Sequence, residues 1–217
     1  MTDLTLVIAN KNTSSWSLRS WLLLKQFDIP FDEQLVRFQQ PDTREELQRH
    51  SPSGLVPALK APAGEIIWDS LAIAETLAEW YPQKTMWPEE LSARAHARCL
   101  SAEMHSGFSN LRTVWPMDVR KEHVGLSIPA VVKKDLARIC ELWTDARSRF
   151  GADGPFLYGS FSIADAMYAP VVSRIRTYGP VAMFGELNDY MEAVWNLPAM
   201  QEWRASALEE EAQGWYA

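Results

Sequence analysis

Only two cysteines, Cys99 and Cys140, occur in 217 residues. They are far apart in helical patterns, so buried free thiols are expected, not a disulfide or a redox C-x-x-C pair. The four histidines, His50, His96, His105 and His123, show neither H-x-x-x-H nor Cys-His spacing, so no metal centre is expected. No apolar run approaches the roughly 20 residues that span a bilayer, which argues against a membrane protein. A formal net charge of −7 without a basic cluster leaves no footprint for nucleic acid. The N-terminus carries the acidic Asp3 and no basic n-region, so no secretory signal is read and a cytoplasmic location is expected. Internal repeats and low-complexity segments are also lacking. What remains is a chain with 47% hydrophobic and 23% charged residues, a composition of globular proteins, long enough for two modest domains. Its ten tryptophans are read as core and domain-contact residues.

The first 80 residues alternate strand and helix signals. Leu4 to Ala9 is a short β-type run ending in the polar loop Asn10 to Ser15. Ser17 to Phe27, free of Gly and Pro, reads as a helix stopped by Ile29-Pro30. Phe31 to Phe38 alternates as a strand, and Thr43 to His50 reads as a short charged helix. Two short apolar runs follow, beginning at Val56-Pro57 and at Glu65 and separated by a Pro-Ala-Gly turn. Asp69-Ser70 then opens a helix whose Leu71, Ala74, Leu77, Ala78 and Tyr81 share one face. The order β-α-β-α-β-β-α defines an α/β domain. From Glu89 onward nearly everything has helical period, with breaks near Pro116, Ser127-Pro129, Gly151-Pro155, Gly179-Pro180 and Pro198. Ser162 and Asp165 have capping-box spacing. The organisation read from this is an α/β domain over 1–82, a linker over 83–88 and an all-α domain over 89–217.

Three motifs carry a family resemblance. Ser53 to Tyr81, SGLVPALKAPAGEIIWDSLAIAETLAEWY, is similar to the G-x-V-P-x-L and [DEQ]-S-x-A-I segments of glutathione transferases. FLYGSFSIADAMYAPVVSRI, which spans Ser162 and Asp165, matches their G-x-x-[ST]-x-A-D pattern. The loop Asn10 to Arg19 resembles the S-S-C-S-W-R-V-R pattern of zeta-class transferases and maleylacetoacetate isomerases. The resemblance implies a thioredoxin-like domain followed by a helical one, glutathione as co-substrate, no metal, and a homodimer.

It also implies a glutathione site. Val56 would offer its main-chain groups, beside a cis Pro57, to the cysteinyl backbone of the peptide, as in strand addition. Ser70, at a helix N-terminus, would take the γ-glutamyl carboxylate, with Asp69 near the ammonium. Gln40 is placed at the glycyl end. Plain helix capping is the competing reading of Asp69 and Ser70. For the thiolate, anchoring the loop on its Ser-Ser pair selects Ser14 with Ser15 as neighbour. Anchoring on Trp16-x-x-Arg19 selects Asn12 and Thr13 instead. The catalytic candidates are therefore Ser14, Thr13 and Ser15. No tyrosine or cysteine stands in this loop, against the tyrosine-dependent classes and against omega-like or glutaredoxin thiol transfer.

A small electrophilic second substrate is expected between the loop and the helical domain, near His105, Phe108, Arg112 and Arg176, with Arg174 close by. A guanidinium binds carboxylate bidentately, so these residues suit an acidic substrate. The expected function is attack by the activated glutathione thiolate, ending in conjugation or in cis–trans isomerisation. A glutathione-binding protein that keeps the fold without catalysis is the alternative.

Overall fold

In the computed structural model, which describes residues 4–123, 126–179 and 181–216, a four-stranded sheet is built on its first strand. β1 (Thr5–Ala9) uses both of its faces. Leu6 and Ile8 enter the main core, while Val7 joins a smaller cluster with Val36 and Ala58. The chain continues through α1 (Ser15–Gln26), β2 (Asp32–Val36), α2 (Thr43–His50), β3 (Ala58–Lys60), β4 (Ile66–Trp68) and α3 (Ser70–Trp80). The strand order is β2-β1-β3-β4. β1 lies parallel to β2 and antiparallel to β3, and β3 is antiparallel to β4. This is the thioredoxin-like arrangement that the family resemblance implies. The Val56-Pro57 peptide at the mouth of β3 is cis.

α1 begins two residues earlier than its apolar run suggests. Ser15 and Ser17 are buried rather than solvated, and Ser14 is the N-cap, so all three serines belong to the helix start. The helix is buried on nearly its whole circumference because it contacts β1 and α3 on one side and later helices on the other.

Those later helices are α4 (Leu91–Ser106), α5 (Ser109–Val114), α6 (Ala130–Phe150), α7 (Ile163–Tyr178), α8 (Asn188–Trp195) and α9 (Pro198–Ala212). α7 is the axis of this part. It is buried on every side and packs against α1, α4 and α8, as expected of a helix with apolar residues all round. Its start is fixed by Asp165, whose carboxylate accepts from the Ser162 N–H (2.8 Å) and hydroxyl (2.9 Å) and from the Leu157 N–H (3.1 Å). Between α4 and α5 the chain turns at Gly107 and at Phe108, which adopts the left-handed region with φ 55°. Asp3 and Pro180, used in reading the sequence, lie outside the described residues.

Candidate functional site

The end of β4 and the start of α3 present one wall of a cavity of about 420 Å3. Asp69 sits between them at φ 77°, a backbone region that costs a residue with a Cβ on the order of 1–3 kcal/mol. In that conformation its Oδ1 caps α3, accepting from Leu71 N (2.8 Å) and Ala72 N (3.3 Å). Oδ2 meets His105 Nε2 of α4 at 2.6 Å. Burial pushes the Asp69 carboxyl up, but the donors from His105 and Leu71 outweigh it and hold the group below the usual carboxylate range. One carboxylate thus ties the α/β part to the helical part at the cavity wall.

Ser70, first residue of α3, is 2% exposed, and its hydroxyl finds no hydrogen-bond partner among the described residues. An unsatisfied buried hydroxyl costs about 1–3 kcal/mol. It lines the same cavity as Val56, Pro57, Asp69, His105, Arg112 and Trp16.

Trp16, in the first turn of α1, is shared with a second cavity of about 320 Å3, as is Arg112 of α5. The Arg19 guanidinium lies 4.1 Å from the Trp16 ring centroid, that of Arg112 lies 5.1 Å away, and the His105 ring meets its edge at 5.3 Å. Arg19 is wholly buried. Its Nε donates to Met167 O at 3.0 Å, while Nη1 and Nη2 have no partner among the described residues. Arg174 of α7 donates to Trp115 O (2.8 Å), Pro170 O (3.0 Å) and Ser15 Oγ (3.4 Å). Burial, then the neighbouring charges of Arg174 and Arg112, bring the Arg19 pKa down to about 9. Burial and Arg112 bring that of Arg174 to about 10. Arg19 and Arg174 stay cationic at neutral pH. The Arg19 and Arg112 guanidinium groups flank the Trp16 indole, and Arg174 lines the second cavity beside it, so the pocket is positive.

Thr13, Ser15, Ser109, Arg112 and Arg174 line this second cavity, and Val56, Pro57, Asp69 and Ser70 are together at the first. Four residues expected at the site line neither cavity. The Ser14 hydroxyl is turned into the loop, 2.7 Å from Ser17 Oγ, which itself accepts from Ala9 N at 3.1 Å. Gln40 belongs to the turn before α2, where its N–H donates to Thr43 Oγ1. Phe108 is spent on the α4–α5 turn and is nearly buried. Arg176 faces away, paired with Glu192 and lying 4.9 Å from the Trp195 ring centroid, because two steps along a helix turn a side chain to the opposite side from Arg174.

His105, expected near a second substrate, lines the first cavity, where its Nε2 is bonded to Asp69. Trp16 and Arg19 were legible only in part: they stand at i and i+3, neighbours on a helix surface, the spacing of a cation–π pair.

Comparison with known proteins agrees with this architecture. Residues 13–80 match the model of the glutathione S-transferase N-terminal domain, and residues 93–207 match that of the C-terminal domain. A probable maleylacetoacetate isomerase of Caenorhabditis elegans is 31% identical over 104 residues, 48% of this chain and 47% of that one. Glutathione S-transferase omega-1 of Rattus norvegicus is 29% identical over 161 residues, 74% of this chain and 59% of the rat protein. The chain therefore spans about half the length of these curated relatives. A Burkholderia glutathione transferase homolog, crystallised with bound glutathione, superposes with a TM-score of 0.69 at 22% identity, covering 96% of this chain and 99% of that one. Two family models laid end to end over this fold leave one assignment: the chain belongs to the glutathione S-transferase family.

Proposed function

We propose that this chain binds glutathione in the 420 Å3 cavity and uses its thiolate, formed beside Ser15, to attack an acidic electrophile held in the adjoining 320 Å3 cavity. The observation that carries the reading is the buried Ser70 hydroxyl, without a partner among the described residues, on the wall of the larger cavity, at a helix N-terminus and in the same cavity as Val56. A peptide with a free γ-glutamyl carboxylate supplies the acceptor that this hydroxyl and the Ser70 N–H at the start of α3 need. Its cysteinyl backbone then lies along Val56, and its thiol points toward Trp16, where the two cavities meet.

Among the three hydroxyl candidates the geometry favours Ser15 over Ser14 and Thr13. Ser15 opens on the second cavity and its oxygen already accepts from Arg174, which leaves its proton free to donate to sulfur. The thiol proton passes to solvent, and the sulfur lone pair forms the new C–S bond while a leaving group departs with its bonding pair or, in a conjugated acceptor, the C=C π pair shifts toward the electron-withdrawing group. If the electrophile is an unsaturated acid, addition across its double bond, rotation and elimination return the glutathione thiolate unchanged. Arg112 and Arg174, which line the second cavity, favour this isomerase branch, since they would hold a carboxylate in place while sulfur adds and leaves. A homodimer accompanies the reading and is checked by sedimentation velocity.

The test combines calorimetry with thiolate absorbance. Glutathione should bind more tightly than the dipeptide lacking the γ-glutamyl group, and its bound thiol should ionise below the ordinary value near 8.5. Equal affinity for both peptides ends the glutathione reading. Tight binding with an ordinary thiol pKa leaves a binding protein without catalysis.

A further inference from the structure

The loop that would activate the thiol is held from the far end of the chain. We propose that Glu210, in the last turn of α9, is a positioning residue that fixes the 10–14 turn and so sets where Thr13 to Ser15 present their hydroxyls; this rests on the thiolate reading above. Its carboxylate is 5% exposed. Oε1 accepts from Lys11 N at 2.7 Å and Oε2 from Asn12 N at 3.2 Å. The Tyr216 hydroxyl also donates to it, and Asn10 Nδ2 donates to that hydroxyl at 3.1 Å.

These bonds answer an accounting problem. The turn closes through Thr13 N and Ser14 N on Asn10 O, at 3.2 and 2.9 Å, which leaves the N–H groups of Lys11 and Asn12 with no main-chain acceptor among the described residues. Both residues are buried away from water, so a substitute is required, and a carboxylate is the strongest neutral-pH acceptor a side chain provides. The cost is visible in the sequence. Glu209, Glu210 and Glu211 crowd the C-terminal end of α9, where the helix dipole disfavours negative charge. Glu210 is turned inward onto the loop, and Glu211 pairs with Arg120 at 2.7 Å.

A merely structural role would dock the C-terminal segment and nothing more. The two glutamates separate the cases. Glu211→Gln loosens the docking through Arg120 without touching the loop amides. Glu210→Gln keeps the shape but places an amide NH2 against one of two N–H donors.

Both variants are compared with the parent by amide hydrogen exchange and by thiolate titration of the glutathione complex. In E210Q the Lys11 and Asn12 amides should exchange about 10-fold faster or more, the effect of losing one buried bond. The bound thiol should ionise at higher pH and kcat should fall by roughly 10-fold, while the KM for glutathione stays within about threefold. E211Q should leave thiol ionisation and kcat at parental values. The proposal is overturned if loop exchange in E210Q is parental, if the loop loosens but the thiol pKa does not move, or if E211Q matches E210Q. A parent that does not depress the thiol pKa at all defeats the thiolate reading together with this one, and is told apart because the failure appears before any substitution is made.

Discussion

The two cavities that meet at Trp16 are built in opposite ways. The larger one takes most of its wall from a single stretch, Ser53 to Ser70, and offers main chain, a proline, a short hydroxyl and a helix N-terminus. The smaller one is assembled from three separated segments, Thr13 to Trp16, Ser109 to Met117, and Arg174 on α7. Its polar wall includes the guanidinium groups of Arg112 and Arg174, with Arg19 buried behind Trp16. A main-chain site recognises a ligand that is itself peptide-like, and it leaves little scope for change because the backbone must keep its course. A site made of long side chains on packed helices is set by charge and length, and can be retuned one residue at a time. One side is therefore suited to a constant co-substrate and the other to a particular electrophile.

The sharpest way to break this comparison is at the junction. Ser15→Ala should reduce turnover by about 10²-fold or more, as when one donor to a developing anion is removed, with glutathione affinity within a few-fold of the parent. The sign in pH follows from the thiol. A donor to the thiolate lowers its pKa, so removing the donor raises it, and the kcat/KM profile moves alkaline. Ser14→Ala and Thr13→Ala run in parallel assign the position, since the substitution that raises the bound thiol's pKa marks the hydroxyl that contacts sulfur. If none of the three does, the loop acts through its backbone N–H groups and the division into two cavities loses its chemical meaning.

The second cavity is tested by an acid and its neutral amide. Arg174→Met should cost about 1.5–3 kcal/mol in kcat/KM for the acid, the range for a hydrogen bond to a charged group, and should leave the amide nearly unaffected. Arg174→Lys, which keeps charge without the planar fork, should fall between. Arg174 also supports Trp115 O and Pro170 O, so general damage to the fold would lower both substrates alike. Equal losses dismiss the acidic substrate. A smaller effect is expected on the other side. Ser70→Ala should weaken glutathione by about 1–2 kcal/mol, read by calorimetry, because the residue 70 N–H at the start of α3 is retained. Unchanged affinity returns Ser70 to helix capping alone.

The contrast also explains what was legible in the sequence. The α/β order was readable because proline, Gly-containing turns and the Asp69-Ser70 start punctuate it at close intervals. The same stretch brought Val56, Pro57, Asp69 and Ser70 to one wall because contiguity in sequence becomes contiguity in space across a hairpin. The helical residues did not transfer so well. Period 3.6 says which side of a helix is apolar but not which neighbour each polar residue meets, so Arg174 and Arg176 were indistinguishable until α7 was seen to turn Arg174 to Ser15 and Arg176 to Glu192. That Gln40 and Phe108 line neither cavity was hidden for a related reason. Both sit in turns, at Gln39 with φ 61° and at Phe108 with φ 55°, and left-handed non-glycine residues leave almost no trace in a sequence. The bond from His105 to Asp69 was not legible, because Asp69 lies 36 positions away in the other part of the molecule.

The last and smallest expectation sharpens the boundary of the second cavity. Arg176 stands two residues from Arg174 and carries the same charge, so it is the natural control for electrostatics at a distance. Its guanidinium is paired with Glu192 and packed on the Trp195 ring, with the two charged side chains 29% and 53% exposed. Exposed ion pairs contribute about 0–1 kcal/mol, and their field is screened within roughly 8 Å at physiological salt. Arg176→Ala should therefore leave kcat/KM for both the acid and the amide within about twofold, while lowering the thermal midpoint by no more than a few degrees. A selective loss for the acid would mean that the last turn of α7 reaches the substrate. The positive pocket would then extend past the three arginines around Trp16, and charge rather than position would be what distinguishes the second cavity from the first.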